Sequence, residues 1–220
     1  KAVYNYYTPP NAPGDTGNYV CGCVATAFAQ VLRYFQYPTT AVGTPSYKIK
    51  VDNVERLETF RGGDGNGGAY SWESMPLVPN DTITDAQRQA IGALTHDCGT
   101  AVGMSYAAAG SGALVIDIAE AMVRDFKFQQ AIKGLNGWQE LAGSAPDILN
   151  PNLDASIPVV IGIHEIISGT ATAGHAVVVD GYGYQNATLY HHINVGWGGN
   201  SDGWYAIPDI LFFNRLAETT

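Results

Sequence analysis

Apolar residues recur at helical spacing through the first two-thirds of this chain, and after residue 157 they gather into short unbroken runs. One layer type cannot satisfy both patterns. A 3.6-residue period buries a stripe along a helix, whereas a short run of branched side chains buries both faces of a strand. From Cys23 to Phe35, the residues Val24, Phe28, Val31 and Phe35 fall at i, i+4, i+7 and i+11, with Ala27 and Leu32 alongside and Pro38 closing the segment. That spacing predicts a helix buried on most sides. Thr84 with Gln87 reads as a capping box ahead of Ile91, Leu94 and Cys98 on one helical face. A turn at Gly110-Ser111-Gly112 precedes another amphipathic stretch, where Val115, Ile118, Ala119, Met122 and Phe126 line one side. Pro158 to Ile163, Ala176 to Asp180 and Leu189 to Val195 then read as strands separated by turn residues. Residues 46–60 alternate weakly and fit strand or short helix, and Arg61 to Ala69 reads as a flexible loop. The expectation is an α+β domain over residues 1–220 in two lobes, about 20–150 mainly helical and about 151–220 mainly antiparallel sheet.

Composition excludes several function classes. Hydrophobic residues make up 46% of the 220 and charged residues 14%, enough apolar content for a real core. The net charge of −9 repels phosphate backbones, so nucleic acid is not an expected partner. No apolar run approaches the ~20 residues of a membrane span. Nothing at Lys1 reads as a signal peptide, so the chain is either cytosolic or begins after processing; 26 Gly and 13 Tyr with few Lys suggest a secreted protein. Metal chemistry finds no support. Cys21-Gly-Cys23 is one residue short of C-x-x-C, the five histidines form no H-E-x-x-H, and Asp64 to Gly68 lacks the spaced ligands of an EF-hand. Gly110-Ser111-Gly112 is flanked by Ala109 and Ala113, so it is not a serine nucleophile elbow. No metal and no organic cofactor are expected.

The chemistry concentrates on three residues. Cys23 follows Gly22 and opens a strongly apolar helix. Unpaired N–H groups at a helix start carry partial positive charge, which stabilises a thiolate and can hold the oxyanion of a tetrahedral intermediate. The bland alternative is a small buried thiol. His175, within Gly174-His175-Ala176, stands at the mouth of a strand where a ring can point into a cleft; its bland alternative is a core histidine satisfied by backbone groups. On the next strand Tyr190, His192 and Asn194 share a face by period two, and an Asn on a neighbouring strand can accept the ring N–H of His175 and fix its tautomer. Nucleophile, base and a group that orients the base are the diagnostic set for covalent catalysis. By themselves these residues support a Cys/His hydrolase or transferase.

Longer stretches carry a resemblance. Gly22-Cys23-Val24-Ala25-Thr26-Ala27, then Ala29-Gln30 and Tyr37-Pro38, resembles the nucleophile region of streptopain-like cysteine peptidases. Gly174-His175-Ala176 with Val178 to Gly181 resembles their histidine strand, and Tyr190 to Gly199 followed by Ser201-Asp202-Gly203 resembles the strand after it. Tyr70-Ser71-Trp72 is similar to a family aromatic motif, and Gly99 to Tyr106 followed by Gly110-Ser111-Gly112 is similar to the segment leading into a substrate-side loop. The resemblance spans roughly residues 20 to 207 in order. It implies a papain-like fold, a helical lobe carrying the nucleophile packed against an antiparallel sheet lobe carrying the base. It also implies a secreted bacterial endopeptidase, made as a zymogen, with protein or peptide substrates and a propeptide or inhibitor as partners. The implied roles are Cys23 as nucleophile with its own N–H as an oxyanion donor, His175 as base, Asn194 as its orienter, Trp197 as a cover over that pair, and Ser111, Gly112 and Gly174 at the substrate. The rivals are a papain-fold acyltransferase, which would usually carry an Asp in place of Asn194, and a catalytically silent binding protein of the same fold.

The chain departs from the family pattern in three places. Val195 stands where the family usually has the first Trp of Asn-Trp-Gly-Trp-Gly-Gly. Gly17 lies where papain-type enzymes often have an oxyanion Gln, which leaves Asn18 as the candidate second donor. Streptopain continues past its Ser-Asp-Gly motif through a long Gly-rich loop, and this chain ends at Thr220. Papain-like enzymes often bridge a cysteine just ahead of the nucleophile, which would pair Cys21 with Cys98. Cys98 is in phase with Ile91 and Leu94, however, so burial alone explains it, and two thiols are expected.

Overall fold

The computed structural model describes residues 3–134, 144–167, 170–207, 210–212 and 215–219. The chain divides into two compact units, Lys1–Ala131 and Ile132–Thr220. That division falls ahead of position 151, where the sequence reading sets the boundary between lobes, because a helix the pattern did not reveal belongs with the sheet of the second unit.

The first unit is built on helices α1 (Cys23–Phe35) and α2 (Asp85–Ala101). The apolar spacing of α1 does what it predicts: Val24, Phe28, Val31 and Leu32 are buried, and of the residues in phase only Phe35, at the last turn, is exposed. Burying Phe28 and Leu32 completely favours folding by about 1.5–3 kcal/mol each. Phe28 meets Phe126 edge-on at 5.0 Å between centroids, and Phe126 in turn touches Phe60 and Tyr70. Helix α2 starts with the anticipated capping box: Thr84 Oγ1 accepts from the Gln87 amide, and Gln87 Oε1 accepts from the Thr84 amide.

A small sheet accompanies these helices. Strands β1 (Ser46–Val51), β2 (Val54–Thr59), β3 (Ser105–Ala107) and β4 (Gly110–Gly112) lie in the order β2-β1-β3-β4. Weak alternation over 46–60 thus resolves into a hairpin, and the glycine turn at 110–112 is itself a strand, antiparallel to β3. A short helix, α3 (Asp117–Arg124), follows.

The loop from Arg61 to Ala69 is not slack. Fully buried Asp97 on α2 accepts from the Arg61 and Gly62 amides at 2.8 Å each, from the Tyr70 hydroxyl at 2.6 Å, and lies 2.8 Å from His96 Nδ1. The Asp64 carboxylate accepts from the Asn66 and Gly68 amides and closes the loop on itself. A buried carboxylate is tolerated only when its lone pairs are met in this way.

The second unit is a six-stranded antiparallel sheet in the order β8-β7-β6-β5-β10-β9. Its strands are β5 (Val159–Ile167), β6 (Thr170–Gln185), β7 (Thr188–Asn194), β8 (Gly203–Tyr205), β9 (Ile210–Phe212) and β10 (Arg215–Thr219). Helix α4 (Ala145–Asp154) packs its Leu149 against Ile163, Val177, Val179, Ile193 and Val195. Two prolines, Pro146 and Pro151, hid this helix from the sequence pattern; the first sits in the opening turn, where its missing N–H costs nothing. The run Ala176 to Asp180 is the centre of β6, Pro158 to Ile163 supplies the first half of β5, and Leu189 to Val195 covers all of β7 but its first residue. Among the described residues no helix is long and apolar enough to cross a membrane.

Candidate active site

Cys23 is the first residue of α1 and is partly exposed. Gly22 before it has φ 88°, offers no side chain as a cap, and no acidic residue stands in the first turn. The positive end of the helix is therefore not neutralised by the side chains that usually do so. Gly22 is also required by space. A Cβ there would lie 2.9 Å from both the Met104 sulfur and the Ser111 carbonyl oxygen. That close approach sets β4 beside the thiol-bearing end of α1. Among the described residues nothing lies within 4 Å of a Cβ built at Gly110 or Gly112, and β4 ends its sheet. The Ser111 hydroxyl is buried with no hydrogen-bond partner among the described residues.

The other two cysteines differ in kind. Cys21 and Cys98 are buried free thiols. Burial pushes Cys21 up to about 11, and burial also drives Cys98 well above the ordinary thiol value. Both stay protonated at neutral pH, and a protonated thiol is a poor nucleophile.

Asn18 takes a structural post instead of the oxyanion role the sequence suggested. It is buried, and its Nδ2 donates towards the carbonyls of Asn5, Ala12 and Tyr6 at 3.0, 3.2 and 3.4 Å. An amide has two N–H groups, and these carbonyls use both to hold the N-terminal lead-in.

In the second unit, His175 lies near the middle of β6, and Gly174 beside it is exposed. The ring's Nε2 is 2.9 Å from the Val195 carbonyl oxygen. A carbonyl only accepts, so Nε2 carries the hydrogen and Nδ1 is left as the basic nitrogen. Trp197 lies over the ring at 5.0 Å between centroids, tilted by 35°. The acceptor at Nε2 is thus a backbone carbonyl, where the sequence reading put the Asn194 side chain. The register gives the reason. Asn194 pairs with Val178, three positions from His175, and an odd offset sends the two side chains to opposite faces of the sheet. Asn194 Oδ1 instead accepts from the Gly196 amide at 2.9 Å. The N–H of the Val195–Gly196 peptide is therefore held by Asn194, and its C=O holds His175.

A model of the peptidase C10 family matches residues 1–205. The chain belongs to that family. Streptopain of Streptococcus pyogenes is 26% identical over 221 residues, covering 93% of this chain and 51% of streptopain. The thiol protease/hemagglutinin PrtT of Porphyromonas gingivalis is 29% identical over 182 residues, covering 83% of this chain and 20% of PrtT. The chain thus spans about half the length of streptopain and a fifth of PrtT. Among solved structures, active wild-type interpain A, a cysteine protease of Prevotella intermedia, superposes with a TM-score of 0.81 at 30% identity, over 99% of this chain and 86% of interpain A. A prointerpain A fragment gives 0.73 at 29%, over 100% of this chain and 67% of the fragment. The chain is thus a streptopain-like member of the C10 family with a papain-like α+β fold, as the motifs implied.

Sequence reasoning missed the Val195 carbonyl, which no side-chain pattern advertises. The signal nearest to hand was the Asn194 side chain two residues before Gly196, the spacing of an Asx turn.

Proposed function

We propose that this chain is a cysteine endopeptidase whose nucleophile is Cys23 and whose general acid–base is His175. The observation that carries the reading is the position of Cys23, a partly exposed thiol at the first residue of an uncapped helix start, in a chain of the C10 family. The two other thiols are buried and protonated, which leaves Cys23 as the reactive one.

In this mechanism the thiolate attacks the scissile carbonyl carbon, and the Cys23 N–H with its helix start faces the oxyanion. His175 as imidazolium gives its Nδ1 proton to the leaving amine. It then takes a proton from the water that hydrolyses the thioester. Nε2–H stays on the Val195 carbonyl throughout, so the ring keeps its plane while Nδ1 gains and loses its proton. Asn194 acts on the ring through the Val195–Gly196 peptide, and Trp197 shields the bond from water. The substrate runs in extended form along the outer edge of β4, where Gly110, Ser111 and Gly112 offer backbone groups and no obstructing Cβ at either glycine; Gly174 lies at the His175 side. No metal or cofactor takes part in these steps.

Secretion and a propeptide belong to the same proposal. Its support is the bacterial origin of the relatives and the pro-form among the structural neighbours. Casein digestion by the parent, Cys23→Ala and His175→Ala tests the activity. Cleavage by the parent alone is expected, and parent-like cleavage by Cys23→Ala removes the proposal.

A further inference from the structure

We propose that Asp202 is a positioning residue for His175, acting through the backbone of Val195; this rests on the reading of His175 as the acid–base group. The Val195 amide donates to Asp202 Oδ1 at 2.7 Å, and the Val195 carbonyl accepts from His175 Nε2 at 2.9 Å. Val195 itself is buried. With its N–H fixed by Asp202, its C=O by the ring, and the following N–H by Asn194, this residue has no freedom to swing the carbonyl away from the imidazole.

The chain makes a tight reversal to bring Asp202 there. Gly196, Gly198 and Gly199 have φ of 81°, 64° and 88°, and Ser201 has φ 65°. These are left-handed conformations that glycine adopts without strain and serine does not. The reversal is closed by the Asp202 amide donating to the Gly199 carbonyl at 3.3 Å and by the Tyr205 hydroxyl donating to the Ser201 carbonyl at 2.5 Å. Trp197, which covers the ring, sits inside the loop that Asp202 ties off. One carboxylate therefore secures both the acceptor under His175 and the indole over it. A ring held in one plane delivers its proton along one line, and a small misplacement at that distance costs rate without costing substrate affinity.

The test uses the purified chain with Asp202→Ala and Asp202→Asn, beside the parent and His175→Ala. Two quantities are read: steady-state kinetics on a casein-derived peptide, and the rate of Cys23 alkylation by iodoacetamide at mildly acidic pH and at pH 9.5. Asp202→Ala should lower kcat about tenfold with KM within about twofold. It should slow alkylation at acidic pH far more than at pH 9.5, where a free thiol of pKa about 8.5 ionises unaided. Asp202→Asn keeps an oxygen acceptor for the Val195 amide and should recover most of kcat. If Asp202→Ala does not fold, Asp202→Glu replaces it, since the longer side chain keeps the charge but shifts the acceptor, and the same deficit is expected. Parent-like kinetics in the alanine or glutamate protein, an asparagine protein as damaged as the alanine one, or a deficit equal at both pH values would overturn the assignment. Equal acid-side alkylation in the parent and His175→Ala would instead sink the Cys23–His175 reading on which it rests.

Discussion

His175 and Val195 are joined side chain to backbone, with the ring Nε2–H donating to the Val195 carbonyl oxygen at 2.9 Å. A backbone carbonyl does not titrate. The tautomer of His175 is therefore set by a partner that no working pH can switch off, and a neighbouring peptide bond, not a neighbouring side chain, defines the plane of the ring.

The Asn194 side chain holds the N–H of the same peptide, so its removal loosens that peptide without removing the acceptor. Asn194→Ala should lower kcat about tenfold, the equivalent of about 1.4 kcal/mol, and well short of the loss in His175→Ala. Asn194→Asp keeps an oxygen for the Gly196 amide and should retain more activity than the alanine variant. Steady-state kinetics of the three variants decide it. An alanine loss as deep as that of His175→Ala in a folded protein would mean a direct chemical role.

Two buried histidines should make pH act in opposite senses on stability. Burial works against the charge of His96, yet its bonds to Asp97 and Glu58 outweigh this and raise it above the ordinary value of 6.5. Its contribution is complete below about 6.5 and is lost as pH rises through the raised value. His191 is buried with Nε2 on Asn150 and, among the described residues, no partner at Nδ1, and burial lowers it below 6.5. In that case the unfolded chain takes up the proton first, so stability falls as pH drops below about 6.5. Urea unfolding at pH 5, 7 and 8.5 checks both. The gap between parent and His96→Gln should widen in acid, and the gap between parent and His191→Gln should narrow. The reverse trend in either would refute that assignment.

Two glycines near Cys23 should respond differently to alanine. At Gly22 the methyl meets the Met104 sulfur and the Ser111 carbonyl at 2.9 Å, with φ at 88°. Gly22→Ala should destabilise by more than about 1 kcal/mol. At Gly112 the methyl meets nothing within 4 Å among the described residues. Gly112→Ala should keep the urea midpoint of the parent and raise KM, because the methyl projects from the edge along which the substrate is proposed to pair. An unchanged KM would remove β4 from the substrate path.

Thiol counting separates the three cysteines. One thiol per chain should react quickly in the native protein, and three should react in denaturant without reductant, since Cys21 and Cys98 are buried and unbridged. A single thiol in denaturant would reveal a Cys21–Cys98 bond. Cys98→Ala should keep its peptidase activity.

The helices α1 and α2 and the hearts of β5, β6 and β7 were legible because burial writes a period into the chain. Val24 to Leu32 and Val177 to Val179 are apolar for the faces they cover. The small sheet of the first unit was not legible, because β2 is largely exposed and β3 and β4 are short and rich in small residues. Helix α4 was masked by its prolines. For the proposed site, residue types alone nominate Cys23 and His175, since only a few side chains can perform that chemistry. The acceptor beneath His175 is a main-chain oxygen, and the identity of Val195 carries no trace of it. Asn18 failed for the opposite reason: an amide side chain suits an oxyanion, but it suits three backbone carbonyls of a lead-in loop equally well.

The central claim is that Cys23 is a nucleophile activated by His175. Mass spectrometry of the intact chain after exposure to an epoxysuccinyl peptide inhibitor at mildly acidic pH tests it most directly. The account predicts one adduct per chain, mapped to Cys23 after digestion, absent from Cys23→Ala and formed far more slowly in His175→Ala. An adduct mapped to Cys21 or Cys98, or one formed at the same rate with and without His175, would contradict it.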